Sequence, residues 1–446
     1  YSRTIFFLGD MASETMTTKS DASADNQDLN NWKVGNFKTN GSLENFFKYA
    51  FIGVNRANAV IKKVPDAGFS QEQKDLFLGE AYFLRAWNYF NLVRNFGLVP
   101  LHKSVVETVD QTSTALAPDM DAMYDLILSD CRRAAELLPV YETPKIGRAD
   151  RVAAQALAAK AYLYVASAKE HGVKLYRDMH RDATVKYDSA AYFAGEVIEK
   201  QAVYGFESSL LDIYDVEKAR GKEHIFIMAM DRSGSSEGQY SKISKMFIPY
   251  IDGATLYLKQ GDKDEYIPTH DGWGEYQPTV AFNNTYDESD SRKTELIVDK
   301  VYKADGTLLG EYPGKIPYPF CRKYIDPKFE GDKTSTRPFL LRFSDVALIY
   351  AEAAGPTAKA YELVNFIRSR AGLGDMKPNL GKDEFRREIL KERTFELAFE
   401  GDHVYDLRRW NRITTDVPEA AGLSEDQVTF YPIPQAEINL NGSLRP

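Results

Sequence analysis

The sequence predicts a mainly α-helical protein in which tetratricopeptide-like helix pairs support a loop-rich region with a few short β-strands. Three observations carry this expectation. Apolar residues recur at helical spacing in segments of about 15–20 residues on both sides of a central stretch. That central stretch, residues 201–343, loses the spacing and alternates β-like runs with Gly, Pro, Asp and Tyr. Short turns separate the helical segments, which implies antiparallel neighbours, although the strict tetratricopeptide signature is absent.

The elements follow in order. Residues 1–41 are rich in Ser, Thr, Asn and Asp and predict irregular surface segments. Over residues 43–64, Phe46, Phe47, Ala50, Phe51, Val54, Ala57 and Ile61 recur at helical spacing, and Pro65 ends the pattern. Ser70 and Gln73 form a capping box that starts a second helix, which runs to about Phe96 and stops at Gly97. Its stripe of Phe83, Ala86, Trp87, Phe90 and Val93 is widened by Leu84 and Leu92, so the helix is expected between neighbours. Residues 119–138 are amphipathic and stop at Pro139. Residues 152–168 are rich in Ala, which permits close helix approach. Further helices are expected over 188–199, 344–354, 358–371 and 383–400. The β-like runs lie at 225–230, 296–302 and 339–343. Together these predict one discontinuous domain over residues 1–446. Its helical scaffold occupies about 42–200 and 344–412, and its loop-rich, ligand-side region about 1–41 and 201–343. Loops on a rigid scaffold are where binding function concentrates.

A formal charge of −9 argues against nucleic acid or an anionic membrane surface as the principal partner. Cys131 and Cys321 lack metal spacing; Cys131, inside a helical pattern, is expected as a buried small hydrophobe, and whether the two pair is left open. No apolar run is long enough to span a bilayer. The chain opens on Tyr1 without an initiator Met, so a further N-terminal segment is expected upstream.

The catalytic motifs are weak. Gly234-Ser235-Ser236-Glu237-Gly238 fits the G-x-S-x-G elbow, but Asp231, Arg232 and Ser233 separate it from the preceding strand, and a flexible loop is the plainer explanation. Glu392, Glu396 and Glu400 recur every four residues, which would place their carboxylates on one helix face as a glycosidase requires. Arg393, Arg408 and Arg409 beside them favour a structural ion-pair network, because carboxylates next to guanidinium groups stay ionised. The six histidines are scattered without H-E-x-x-H, so neither zinc nor any other cofactor is expected. Asp262 with Asp264, and Asp287 with Asp290, are expected as solvated loop carboxylates rather than a calcium site. Trp32 and Trp273 belong to no helical stripe. They are expected to offer flat, sugar-stacking faces, with Tyr266 and Tyr276 as further aromatic contacts and Asn31 and Asn36 as polar ones.

Several blocks together resemble a known family. Glu80-Ala81-Tyr82-Phe83-Leu84-Arg85-Ala86, Tyr89-Phe90-Asn91-Leu92-Val93 and Phe96-Gly97-Leu98-Val99-Pro100-Leu101 resemble the signature helix of SusD/RagB-like proteins. Gly53-Val54-Asn55-Arg56-Ala57-Asn58 is similar to the family's earlier helix. The order continues through Leu341-Arg342-Phe343-Ser344-Asp345-Val346, Asn365-Phe366-Ile367-Arg368-Ser369-Arg370-Ala371-Gly372-Leu373 and Glu392-Arg393. It closes with Asp406-Leu407-Arg408-Arg409-Trp410 and Tyr431-Pro432-Ile433-Pro434. The resemblance implies a nutrient-binding lipoprotein exposed on the outer membrane of Bacteroidetes. Its anchor would be a cysteine upstream of Tyr1, its only link to the membrane. Its ligand would be an oligosaccharide or similar nutrient, and its partner a SusC-like TonB-dependent transporter. It also implies no catalytic machinery. The alternatives are a transporter lid with little ligand affinity of its own, and a hydrolase using Glu396 and Glu400 or Ser236.

Overall fold

The computed structural model describes residues 4–200, 202–234, 239–261 and 263–444. Helices dominate both flanks of the chain, as expected, and short strands occupy the centre. Asn40 caps the helix Gly41–Lys63, its side-chain oxygen accepting from the Ser42 and Leu43 amides at 3.0 and 3.2 Å. The helix Gln71–Phe96 begins with the expected capping box. The Gln73 amide donates to Ser70 Oγ at 3.3 Å, and the Ser70 amide to Gln73 Oε1 at 3.1 Å. It ends at Gly97, whose φ of +69° favours a residue without a side chain.

Each long helix packs on the next through Met120–Leu137, Arg151–Glu170 and Ala183–Lys200. The last of these then packs on Phe343–Ala354, which also supports Ala358–Arg370 and Lys382–Glu396. Helices separated by the whole central region therefore touch directly. Two helix boundaries differ from expectation by more than two residues. The helix placed at 188–199 starts at Ala183, because Tyr187, buried under Arg386 with the guanidinium 3.5 Å from the ring centroid, rewards the extra turn. The helix placed at 383–400 ends at Glu396, because the chain turns through positive φ at Phe399 and Gly401.

Central strands form small antiparallel sheets. The largest has the order Tyr266–Thr269, Leu256–Lys259, Lys300–Tyr302, Leu308–Glu311 over a local core of Ile248, Leu256, Leu258, Val301 and Phe320. The strand Phe339–Arg342 pairs with His224–Ile227 and runs directly into the helix Phe343–Ala354. Cys131 and Cys321 are both buried free thiols.

The N-terminal segment corrects the expectation of an irregular surface. A short helix, Thr4–Phe6, leads into a π-helical turn, Phe7–Met11, and Phe6, Leu8 and Met11 are fully buried. The strand Met16–Thr18 pairs with Tyr276–Pro278. The apolar residues are too few and too irregular to show a period, but distant partners cover them. The Phe6 ring lies 5.5 Å from Phe247 and 5.3 Å from Tyr324. Gly9 passes so close to Gly401 that a Cβ there would stand 1.9 Å from the Gly401 carbonyl oxygen. The Asp10 carboxylate accepts from the Gly401 amide at 2.6 Å and the His403 amide at 3.4 Å, and Glu14 meets His403 Nε2 at 2.7 Å.

Two outcomes test this insertion. Gly9→Ala is expected to cost about 1–3 kcal/mol in urea denaturation, because the new methyl has no room; an unchanged midpoint refutes the close approach. Burial pushes the Asp10 carboxyl up to about 7, against the Gly401 amide and His403, which lower it. A carboxyl raised in the folded state stabilises below its ordinary range and loses that contribution as pH rises through the folded value. The stability margin of the native chain over Asp10→Asn should therefore shrink between about pH 4 and about pH 7, measured by denaturant melts at constant ionic strength. A margin that grows over that window contradicts the assignment.

Candidate functional site

The glutamates spaced like a catalytic pair are locked in the interior. Glu396 accepts from Arg342 at 2.9 Å, Arg370 at 2.8 Å and Arg292 at 3.3 Å. Glu400 accepts from Arg342 Nε and Lys323 Nζ, both at 2.7 Å, and from the Tyr214 hydroxyl at 3.0 Å. Glu392 accepts from Arg292 at 2.6 Å and Arg368 at 3.1 Å. Burial alone would raise the Glu396 carboxyl, but Arg370, Arg342, Arg292 and Lys323 outweigh it and hold it well below the usual carboxylate range. An acid so strongly ionised cannot deliver a proton to a leaving group near neutral pH. A second cluster joins Arg393 to Asp345 and Asp406 at 2.8 Å each, and Lys160 to Asp345 at 2.8 Å and Asp402 at 2.6 Å. The glutamates form the expected structural network, but with other cations than expected: Arg393 pairs with Asp345 and Asp406, Arg409 with Glu352 and Asp406, and Arg408 donates to Arg94 O.

A different place offers groups to solvent. Trp273 lies between the strands Tyr266–Thr269 and Tyr276–Pro278 and is 37% exposed. Its loop is tightly built. The buried Asp271 carboxylate accepts from the amides of Ile251, Gly253 and Gly272. The Trp273 amide donates to Lys245 O at 2.7 Å, and Gly274 to Ile248 O at 2.9 Å. Both flanking glycines are required: a Cβ on Gly272 would sit 1.8 Å from Ile248 O, and Gly274 has φ +62°. Lys242 and Lys245, at the start of and within the short helix Ile243–Phe247, place their ammonium groups 5.5 Å from the indole centroid.

The other sequence-derived candidates lie elsewhere. Trp32 is only 3% exposed; its Nε1 donates to Ala12 O at 3.1 Å and its ring stacks on Tyr431. Tyr276 is 0% exposed, enclosed by Phe6, Phe7 and Phe247. Neither presents a face to a ligand, because partners from remote parts of the chain cover them. Tyr266 is half-buried against Tyr302, with ring centroids 5.0 Å apart. Asn31 and Asn36 are exposed but spend their amides locally, on Gln27 O at 2.7 Å and Asp28 at 2.9 Å. Ser236 and Asp262 lie outside the described residues. Asp264 is exposed near Lys259, Asp287 bonds Ser289, and Asp290 is consumed by Arg292. Among the described residues, no group of three or more His, Cys, Asp or Glu side chains could hold a metal ion.

Sequence reasoning missed Tyr240, Lys242, Lys245 and Lys333. The first three carried a faint signal in their close spacing. Lys333 carried none, since only the antiparallel bridge between Ser241 and Thr334 brings it alongside. On the helical side, an apolar groove of about 600 Å³ runs along Phe47, Phe51, Val54, Val106 and Leu440. Among the described residues, no helix is long and apolar enough to cross a membrane.

Comparison with known proteins agrees with this architecture. Residues 299–445 match the SusD family, and residues 5–163 match a family described as starch-binding associating with outer membrane. SusD-like protein P2 of Formosa agariphila is 26% identical over 94% of this chain and 82% of its own length. A SusD superfamily structure from Parabacteroides distasonis superposes with a TM-score of 0.80 at 20% identity, over 99% of this chain and 92% of that one. A structure described as a laminarin binding SusD-like protein gives 0.78 at 24% identity, over 99% and 93%.

The interior network makes a stability prediction. Glu396→Gln removes the charge that three guanidinium groups share, and is expected to cost about 3–5 kcal/mol in denaturant unfolding. A loss below about 1 kcal/mol, the scale of an exposed ion pair, would contradict the network's role.

Proposed function

Because the chain belongs to the SusD family, we propose that it captures an oligosaccharide at the cell surface, without altering it, for a SusC-like TonB-dependent outer-membrane transporter. In this reading it is held at the outer membrane by an N-terminal lipid anchor. The description of the family matched at residues 5–163 supports outer-membrane association, and the laminarin-binding neighbour supports a glycan ligand. Binding without catalysis is supported by the ionised, buried state of Glu396 and by the partners that occupy Glu400.

One observation carries the reading. Trp273 stands on a loop whose backbone is fixed by Asp271 and by two obligatory glycines, yet its indole is left open to solvent. A flat ring held rigidly in the open stacks on the apolar C–H face of a sugar at little entropic cost. A second reading, a transporter lid with little affinity for ligand, is favoured by Val109 and Leu440, exposed around the helical groove.

Affinity gel electrophoresis across polysaccharides, laminarin included, separates the two. Retardation by at least one glycan is expected, and Trp273→Ala should weaken it at least about tenfold, as truncation of a central aromatic anchor does. Trp32→Ala should instead lower the melting temperature, since that ring is core. Retardation unchanged in the Trp273 variant removes the site; co-purification with a transporter and no glycan binding supports the lid.

A further inference from the structure

The surroundings of Trp273 gather cations around exposed rings. Tyr240, also 37% exposed, lies close by, because Lys242 stands 5.7 Å from its ring centroid and 5.5 Å from that of Trp273. A single ammonium thus serves two exposed rings. Lys245 approaches Trp273 at 5.5 Å, and Lys333 approaches Tyr240 at 5.2 Å. Three cations therefore gather around two open aromatic faces in a protein of net charge −9.

The nearby carboxylates cancel them only in part, because one carboxylate is shared by two of the lysines. Asp332 pairs with Lys245 at 2.6 Å and lies 3.7 Å from Lys242. Glu330 opposes Lys333 across an isolated bridge. Glu275, two residues after Trp273, is engaged by Asn26 at 2.7 Å and Lys19 at 3.8 Å. Beside the Lys245–Asp332 pair lies His270, buried against Phe329 with ring centroids 5.2 Å apart. Its Nε2 has no hydrogen-bond partner among the described residues. The surface thus combines apolar stacking faces with an excess of positive charge, and a buried polar atom without a partner among the described residues lies beneath it.

We infer that this surface selects an acidic glycan, one bearing carboxylate or sulfate groups, with Trp273 and Tyr240 stacking on sugar rings and Lys242, Lys245 and Lys333 reading the anions. The inference rests on Trp273 being the sugar platform. A neutral glucan would use the rings and leave the lysines idle. An acidic chain would use both, and each ammonium would meet an anion beside the ring on which its sugar stacks.

The test uses the intact protein in affinity gels and calorimetry. The probes are alginate and polygalacturonate for carboxylates, carrageenan for sulfates, laminarin as the neutral glycan and polyglutamate as a charge-only control. Retardation is expected from at least one acidic glycan, and the three probes tell carboxylate from sulfate preference. The double variant Lys242→Gln/Lys333→Gln leaves the Lys245–Asp332 pair intact. It should weaken acidic binding about tenfold, while any laminarin binding and the melting temperature stay unchanged. Trp273→Ala should weaken acidic binding as well, and polyglutamate should retard little. Acidic binding that survives the double substitution, or is matched by polyglutamate and indifferent to Trp273→Ala, overturns the inference. Retardation by laminarin alone overturns it while leaving glycan capture standing. Retardation by no glycan overturns glycan capture and this inference with it.

Discussion

The guanidinium of Arg342 is the constraint on which the rest of the structure depends. It sits at the end of the strand Phe339–Arg342, where loop-rich region becomes helix, and it is buried. Its five N–H groups are all spent: on Glu400 through Nε and Nη2, on Glu223 and Glu396 through Nη1, and on the Glu396 carbonyl through Nη2. These partners come from the segment before His224–Ile227, from the end of the helix Lys382–Glu396, and from the turn after it. One cation therefore ties its own strand to two pieces of chain that are remote from it in sequence. Desolvating so many charges costs several kcal/mol per ion, so the network adds little net stability compared with apolar packing. Its consequence lies in the alternatives it forbids: any other docking of strand against helix would leave a buried charge without a partner.

That asymmetry explains what could be read from the chain alone. The long helices were legible because apolar periodicity and capping are local properties; Ser70 and Gln73 satisfy each other three residues apart. The structural role of Glu392, Glu396 and Glu400 was legible in outcome only: Arg393 lies among them in sequence but pairs with Asp345 and Asp406. Arg292, Arg342 and Arg370, which do most of the neutralising, arrive from elsewhere in the sequence. The N-terminal segment was not legible. Its few hydrophobes look like a polar stretch with impurities until Phe247, Tyr276 and Tyr324 close over them.

Aromatic side chains in polar loops failed as a signal for the same reason. Trp32, Trp273 and Tyr276 have similar local surroundings in sequence, yet two are core and one is open. What separates them is whether a distant partner arrives: Tyr431 and Ala12 cover Trp32, and Phe6 and Phe7 cover Tyr276. The distinguishing feature of Trp273 was its glycine on either side. Gly272 is forced by close approach to Ile248 O and Gly274 by its positive φ, so the backbone is committed to holding the ring where it is.

The open ring is nonetheless tied to the interior. The Trp273 amide bonds Lys245 O, in the short helix Ile243–Phe247. Ser244 of that helix donates to Tyr324 O, and the Tyr324 hydroxyl donates to Phe399 O at 2.9 Å, beside Glu400 of the Arg342 network. Phe247 stacks on Tyr324 at 5.2 Å and meets the buried Phe6 edge-on. The surface loop therefore rests on a continuous support that runs through the inserted N-terminal segment to the charged core. Such support matters for a shallow surface, where ordering each side chain on binding would cost about 0.5–1.5 kcal/mol. The backbone around Trp273 is ordered before a ligand arrives, so in the proposed function the indole would set a sugar's orientation, while the ammonium groups beside it would meet the charge that the sugar carries.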